Sequence, residues 1–119
     1  DKQKNLKKEL LSFTDFSMPK KEDLIEKYQM SKEDIDELVT SMILNKDLIK
    51  FNEDVFLTRE SYEKVLHHLR EYMLEKGSIS VGEFRDLLNT NRKVALGILE
   101  YLDQLKITRR DGERRTLIQ

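Results

Sequence analysis

The chain has 119 residues, no cysteine, and 22 Lys/Arg against 23 Asp/Glu, a net charge of −1. This length fits one ordinary domain or two very small ones, and the 38% hydrophobic content is enough for compact folding. Without cysteine, disulfides and thiolate chemistry are excluded, as suits a reducing compartment. No apolar run approaches the length that spans a bilayer, and the first residues lack the apolar stretch of a signal peptide. The expectation is a soluble, cytoplasmic chain; because it opens on Asp1, it reads as an excerpt of something longer. Charge is uneven: residues 1–77 carry 14 Lys/Arg against 17 Asp/Glu, whereas residues 78–119 carry 8 against 6.

In chain order, Leu6, Leu10, Leu11 and Phe13 predict a first helix that stops before Ser17-Met18-Pro19. Pro19 suits the opening turn of a short second helix carrying Leu24, Ile25 and Tyr28. Ser31 offers an N-cap, with Asp34 at the third helical position, for a helix to about Lys46. Its apolar stripe is Ile35, Leu38, Val39, Met42 and Ile43. "LIKFNEDVFL" then alternates like two strands about a polar turn at Asn52 to Asp54.

The same order recurs. Thr58 caps a long helix that Gly77 stops; Ser78 to Ser80 reads as a short strand, and Phe84, Leu87 and Leu88 mark a short helix. Asn89, Thr90 or Asn91 caps "RKVALGILEYLDQLK", in which Gly97 is unexpected. With a shift of about 60 residues Leu24 lies over Phe84 and Leu38 over Ile98, with a slip of one near the hairpins. Three helices closed by a β-hairpin describe a winged helix, a helix-turn-helix variant. The fold class is therefore mainly α with small β-hairpins, as two tandem winged helices, residues 1–57 and 58–119.

The final hairpin, "ITRRDGERRTLI", holds four arginines. Asp111-Gly112 is a dipeptide that two-residue type I′ turns favour. That turn sets Arg110 opposite Glu113 and Arg109 opposite Arg114, a like-charge pair that a bound anion would relieve. A helix-turn-helix presents the N-terminal end of its third helix to nucleic acid, where free amides and the dipole favour phosphate. In the first copy that end reads "SKEDIDEL", whose carboxylates repel phosphate, so this unit reads as an acidic spacer or protein contact. In the second it reads "NTNRKVAL", with Arg92 and Lys93 on the first turn beside Asn89, Thr90 and Asn91. The wing adds Arg109, Arg110, Arg114 and Arg115. Two elements close in space then share one sign of charge, which points to nucleic acid.

"EFRDLLNTNRKVALGILEYLDQLKITRRDGERR", Glu83 to Arg115, resembles the last winged helix of the bacterial selenocysteine-specific elongation factors, the SelB family. The pattern runs F-R-D, R-K-x-A, L-E-Y-x-D and T-R-R-x-G-x-x-R. The resemblance implies a C-terminal, non-enzymatic fragment that grips a messenger-RNA hairpin beside a UGA codon. The ribosome and selenocysteyl-tRNA would be reached through the parent protein, and GTP belongs to an N-terminal part absent here. It also implies that Arg109, Arg110 and Arg115 clamp the RNA, with Arg114 joining them. The fragment itself is expected to be a monomer with no cofactor, metal or membrane contact. His67 and His68 adjoin on a helix, diverge by about 100° and cannot share a metal on one face. Two other readings stand beside this one: a tandem winged-helix transcription regulator that binds DNA, and an adaptor that binds protein alone.

Overall fold

The computed structural model describes residues 1–118. The first half holds helices α1 (Lys2–Leu11), α2 (Lys21–Tyr28) and α3 (Lys32–Leu44), then strands β1 (Leu48–Lys50) and β2 (Phe56–Thr58). The second holds α4 (Arg59–Lys76), β3 (Ile79–Ser80), α5 (Val81–Leu88), α6 (Arg92–Gln104), β4 (Thr108–Asp111) and β5 (Arg114–Leu117). The chain is thus mainly helical with small antiparallel sheets. Helices α2 and α5, and α3 and α6, are offset by 60 residues at both ends, and the repeat slips only at the hairpins, where β2 begins at Phe56 and β5 at Arg114.

The repeat extends to the caps. Gln29 and Asn89 both end their helices in the left-handed conformation, at φ 51° and 53°. Ser31 and Asn91 both cap the next helix, accepting from the backbone N–H of Asp34 and Val94. Pro19 lies outside α2, whose N-cap is Lys20, and not in its opening turn as the sequence suggested. Its counterpart Ile79 pairs with Arg115 as part of β3. A proline has no N–H for such a ladder, so the first sheet keeps two strands while the second has three, in the order β3-β5-β4.

Each half buries its own stripe, but one core crosses between them. Leu6, Leu10, Leu24, Ile35, Val39, Met42, Leu48 and Phe56 cluster in the first half. Phe51, Val55 and Leu57, from the first hairpin, cluster instead with Val65, Leu69, Phe84, Ile98 and Leu102 of the second. Phe51 meets Tyr101 edge to face, their ring centroids 4.9 Å apart. The segment between α1 and α2 is strapped to the second half by its carbonyls. Phe13 accepts from Thr58 Oγ1 at 2.9 Å, Asp15 from Ser61 Oγ at 2.7 Å, and Phe16 from Thr90 Oγ1 at 2.9 Å. The molecule measures 47 × 23 × 20 Å.

Gly97, out of place by helix propensity, is explained by this docking. A Cβ there would stand 2.8 Å from Asn52 Nδ2 and 3.3 Å from Val55 Cγ2. Asn52 cannot easily yield, because its Oδ1 accepts from both Asp54 N and Val55 N at 2.9 Å. Alanine at an ordinary helical site would gain about 1 kcal/mol over glycine, whereas overpacking costs about 1–3 kcal/mol. Gly97→Ala therefore lowers the Tm measured by circular dichroism; a raised Tm would mean that the hairpin does not rest on α6.

Candidate nucleic-acid interface

The turn between α5 and α6 is built by its asparagines. Asn89 adopts φ 53°, a conformation its side chain tolerates better than most, and its N–H donates to the carbonyls of Arg85 and Asp86. Asn91 Oδ1 accepts from Val94 N at 2.9 Å, which fixes the start of α6. Arg92 and Lys93 follow on the exposed first turn. Lys93 Nζ stands 3.7 Å from Asp54 Oδ2 of the first hairpin. Thr90 faces the strap, its hydroxyl engaged by Phe16.

The wing departs from expectation by one residue. The strands pair Thr108 with Leu117, Arg109 with Thr116, Arg110 with Arg115 and Asp111 with Arg114, so the turn is Gly112-Glu113. Only Gly112 has a positive φ there, 65°, the pattern of a type II′ turn rather than the type I′ that Asp111-Gly112 suggested. Moving the turn by one residue shifts the register by two, so each side chain keeps its face and only the cross-strand partners change. Arg109 therefore lies opposite Thr116, and the like-charge pair is Arg110 with Arg115.

Burial decides the register. Arg115 is 2% exposed and Thr108 is 1% exposed. The Arg115 guanidinium meets Asp103 on α6, with Nε to Oδ2 at 3.0 Å and Nη2 to Oδ2 at 2.9 Å, and Thr108 Oγ1 donates to Oδ1 at 2.6 Å. Arg115 is thus turned inward, a correction to its expected place on the gripping surface, because its charge is spent on Asp103. Arg114 reaches back to Ser78 Oγ at 2.7 Å and to Glu83 Oε1 at 2.7 Å. Arg110 Nε donates to the Gly112 carbonyl at 2.9 Å. Arg109 is exposed on the other face.

What the arrangement brings together is a shallow hollow of about 530 Å³ whose lining includes Arg92, Arg110 and the nearly buried Arg115, with Gly82 and Leu96. Arg92 comes from the tip of α6 and Arg110 from the wing, so the two elements share one rim. Glu100 and Glu113 also line it and temper the charge. Lys93 lies on the far side of the tip, in a crease with Lys20 and Lys32 of the first half. Ser80, Gly82 and Leu96 were not singled out by sequence, and Asp103 entered only as the last residue of the L-E-Y-x-D pattern, with no role assigned. A carboxylate in the last turn of a helix opposes the dipole, which is a hint that it has a cationic partner.

Glu83 completes the frame. It closes a capping box with Ser80, and the backbone N–H of Ser80 followed by the Arg114 guanidinium hold its carboxyl below the usual carboxylate range. A depressed folded value means that its stabilisation is complete above the unfolded carboxylate pKa and is lost as pH falls through the folded one. Glu83→Gln thus flattens the acid side of a Tm-against-pH curve, and an unchanged acid limb would deny Glu83 this role. Asp103→Ala strands a buried guanidinium and costs about 3 kcal/mol, the low end for such a loss because Asp103 keeps partial exposure. Urea denaturation reads this; unaltered stability would show that the wing is anchored otherwise.

Residues 71–117 match the family described as the elongation factor SelB winged helix. The matched residues lie in the second half, whose fold is a winged helix. A selenocysteine-specific elongation factor of Desulfomicrobium baculatum is 27% identical over 93 residues, 78% of this chain and 15% of that protein. One from Escherichia coli (strain K12) is 46% identical over 44 residues, 37% of this chain and 7% of that protein. The chain therefore spans only a small part of these relatives' length. Among solved structures, the mRNA-binding domain of SelB from E. coli, in complex with SECIS RNA, superposes with a TM-score of 0.82. It is 21% identical and covers 98% of this chain and 97% of that one. A bacterial selenocysteine-specific factor, EF-Sec, gives 0.67 at 21% identity, covering 100% of this chain and 18% of that one. Both likenesses extend the common fold across the first half.

Proposed function

We propose that the second unit of this chain grips a messenger-RNA hairpin, as the RNA-binding end of a selenocysteine-specific elongation factor. The observation that carries this reading is the shared rim of Arg92 and Arg110, in a fold that superposes on a domain solved with SECIS RNA. The two winged helices run over residues 1–57 and 58–119, although their apolar core crosses that line. The first is an acidic spacer to the second. The parent protein acts in the cytoplasm, uses GTP in its N-terminal part, and works with selenocysteyl-tRNA and the ribosome; the fragment itself is a monomer that binds and does not catalyse.

A-form RNA hides its major-groove base edges, so a hairpin is held by its phosphate path and by bases free in the loop. Arg92 and Lys93 follow the phosphates at the α6 tip. Asn91, whose Oδ1 is spent on the cap, offers its amide N–H groups, and Asn89 stands beside it. Arg110 holds the phosphate shared with Arg92, and Arg109 reaches the strand beyond. Arg114 contributes by orienting the wing through Glu83; Thr90 and Arg115 position the tip and the wing without touching RNA.

With about four phosphate contacts, log affinity falls against log salt with a slope near −3 to −4, and each contact removed lessens that slope by roughly 0.7–0.9. Arg92→Ala and Arg110→Ala each weaken hairpin binding about tenfold at unchanged Tm, measured by fluorescence anisotropy across a salt series. Equal affinity for duplex DNA of the same length would favour the transcription regulator. Failure to bind either nucleic acid at low salt would favour the protein adaptor.

A further inference from the structure

Helix α1 carries a second basic surface that the hairpin site does not use. At 100° per residue, Lys4, Lys7 and Lys8 fall within an arc of about 100°, turned away from the buried Leu6 and Leu10. All three are exposed, and among the described residues none takes part in an ion pair. Acids are close in sequence but are drawn elsewhere. Asp1 is spent capping the helix, accepting from Lys4 N at 2.8 Å. Glu9 is held on the other flank by Lys27 Nζ at 2.6 Å and by the Tyr28 hydroxyl. The lysine face is left uncompensated on a half of the molecule that is otherwise acidic.

The chemistry of this face narrows its partner. It offers three strongly hydrated point charges and a single half-exposed apolar side chain, Leu11, at 40%. A protein partner would need an apolar or aromatic anchor, and interface cores are poor in lysine. A membrane surface would need a free apolar face, whereas Leu6 and Leu10 are buried. A regular run of phosphates needs neither, and α1 carries no arginine or aromatic and a single asparagine, Asn5, so the face offers charge far more than base readout.

We propose that Lys4, Lys7 and Lys8 hold the backbone of a second RNA, a duplex bound without regard to sequence while the α6 tip holds its hairpin. This rests on the hairpin reading above, because it makes the chain a bridge between two RNAs. Leu6 and Leu10 belong to the first core and α6 to the second, so the two sites lie on different parts of the molecule.

The test saturates the chain with unlabelled stem-loop RNA and titrates in a labelled, loopless 20-base-pair RNA duplex. The unmodified chain takes up the duplex in a ternary complex, with a log–log salt slope of about −2 to −3 for three contacts. Lys4→Gln/Lys7→Gln/Lys8→Gln, chosen because glutamine keeps helix propensity, loses duplex affinity at least tenfold while its stem-loop affinity and Tm stay within error. Duplex uptake unchanged in this variant, or abolished by saturating stem-loop, overturns the proposal, as does binding of phosphatidylserine vesicles in preference to duplex. Arg92→Ala keeps the two ideas apart, since it weakens the stem-loop and spares the duplex. If the chain binds no stem-loop at all, the hairpin reading fails, and the triple variant still decides whether α1 binds duplex.

Discussion

One buried ion pair sets the geometry on which everything else at the interface depends. Asp103, on the last turn of α6, receives Arg115 and Thr108 from the two strands of the wing. It thereby fixes the wing against the very helix whose other end carries Arg92. A buried charge pair is seldom a net source of stability, since desolvation offsets much of the attraction. Its value here is angular. With three hydrogen-bonding groups converging on one carboxylate, the hairpin has a single register, and Arg110 is delivered to the rim shared with Arg92.

The second constraint is the close approach of the first hairpin to α6. Its loop passes over Gly97, and its apolar side chains complete the neighbouring core. Asn52 folds the loop back on itself while the strap from Phe13 to Phe16 fastens the other side. The α5–α6 turn is therefore braced from behind, through Thr90, by a segment that precedes it by some 74 residues. Such bracing suits a surface that must meet a stiff, regularly charged ligand without rearranging.

Much of the fold was legible because short-range signals agreed with one another. Ser31, Thr58 and Asn91 all cap the helices expected of them, and the apolar stripes face inward apart from Leu11. The wing was misread because Asp111-Gly112 and Gly112-Glu113 are both acceptable two-residue turns, and local turn chemistry cannot choose between them. The choice belongs to Asp103, whose partner is twelve residues away in sequence. For the same reason four arginines looked alike from their spacing, yet one is buried, one is tied to Glu83 and two remain at the surface. Gly97 looked like a defect because its reason lies on another element altogether.

Pro19 has a further consequence. By denying the first sheet a third strand, it leaves that hairpin held to its own helices through Leu48 and Phe56, while Phe51, Val55 and Leu57 are lent to the neighbour. The two repeats are thus alike in outline but not interchangeable. Neither could be exchanged for a foreign copy without opening a hole in the other, so in any recombination of such arrays this pair travels as one heritable block.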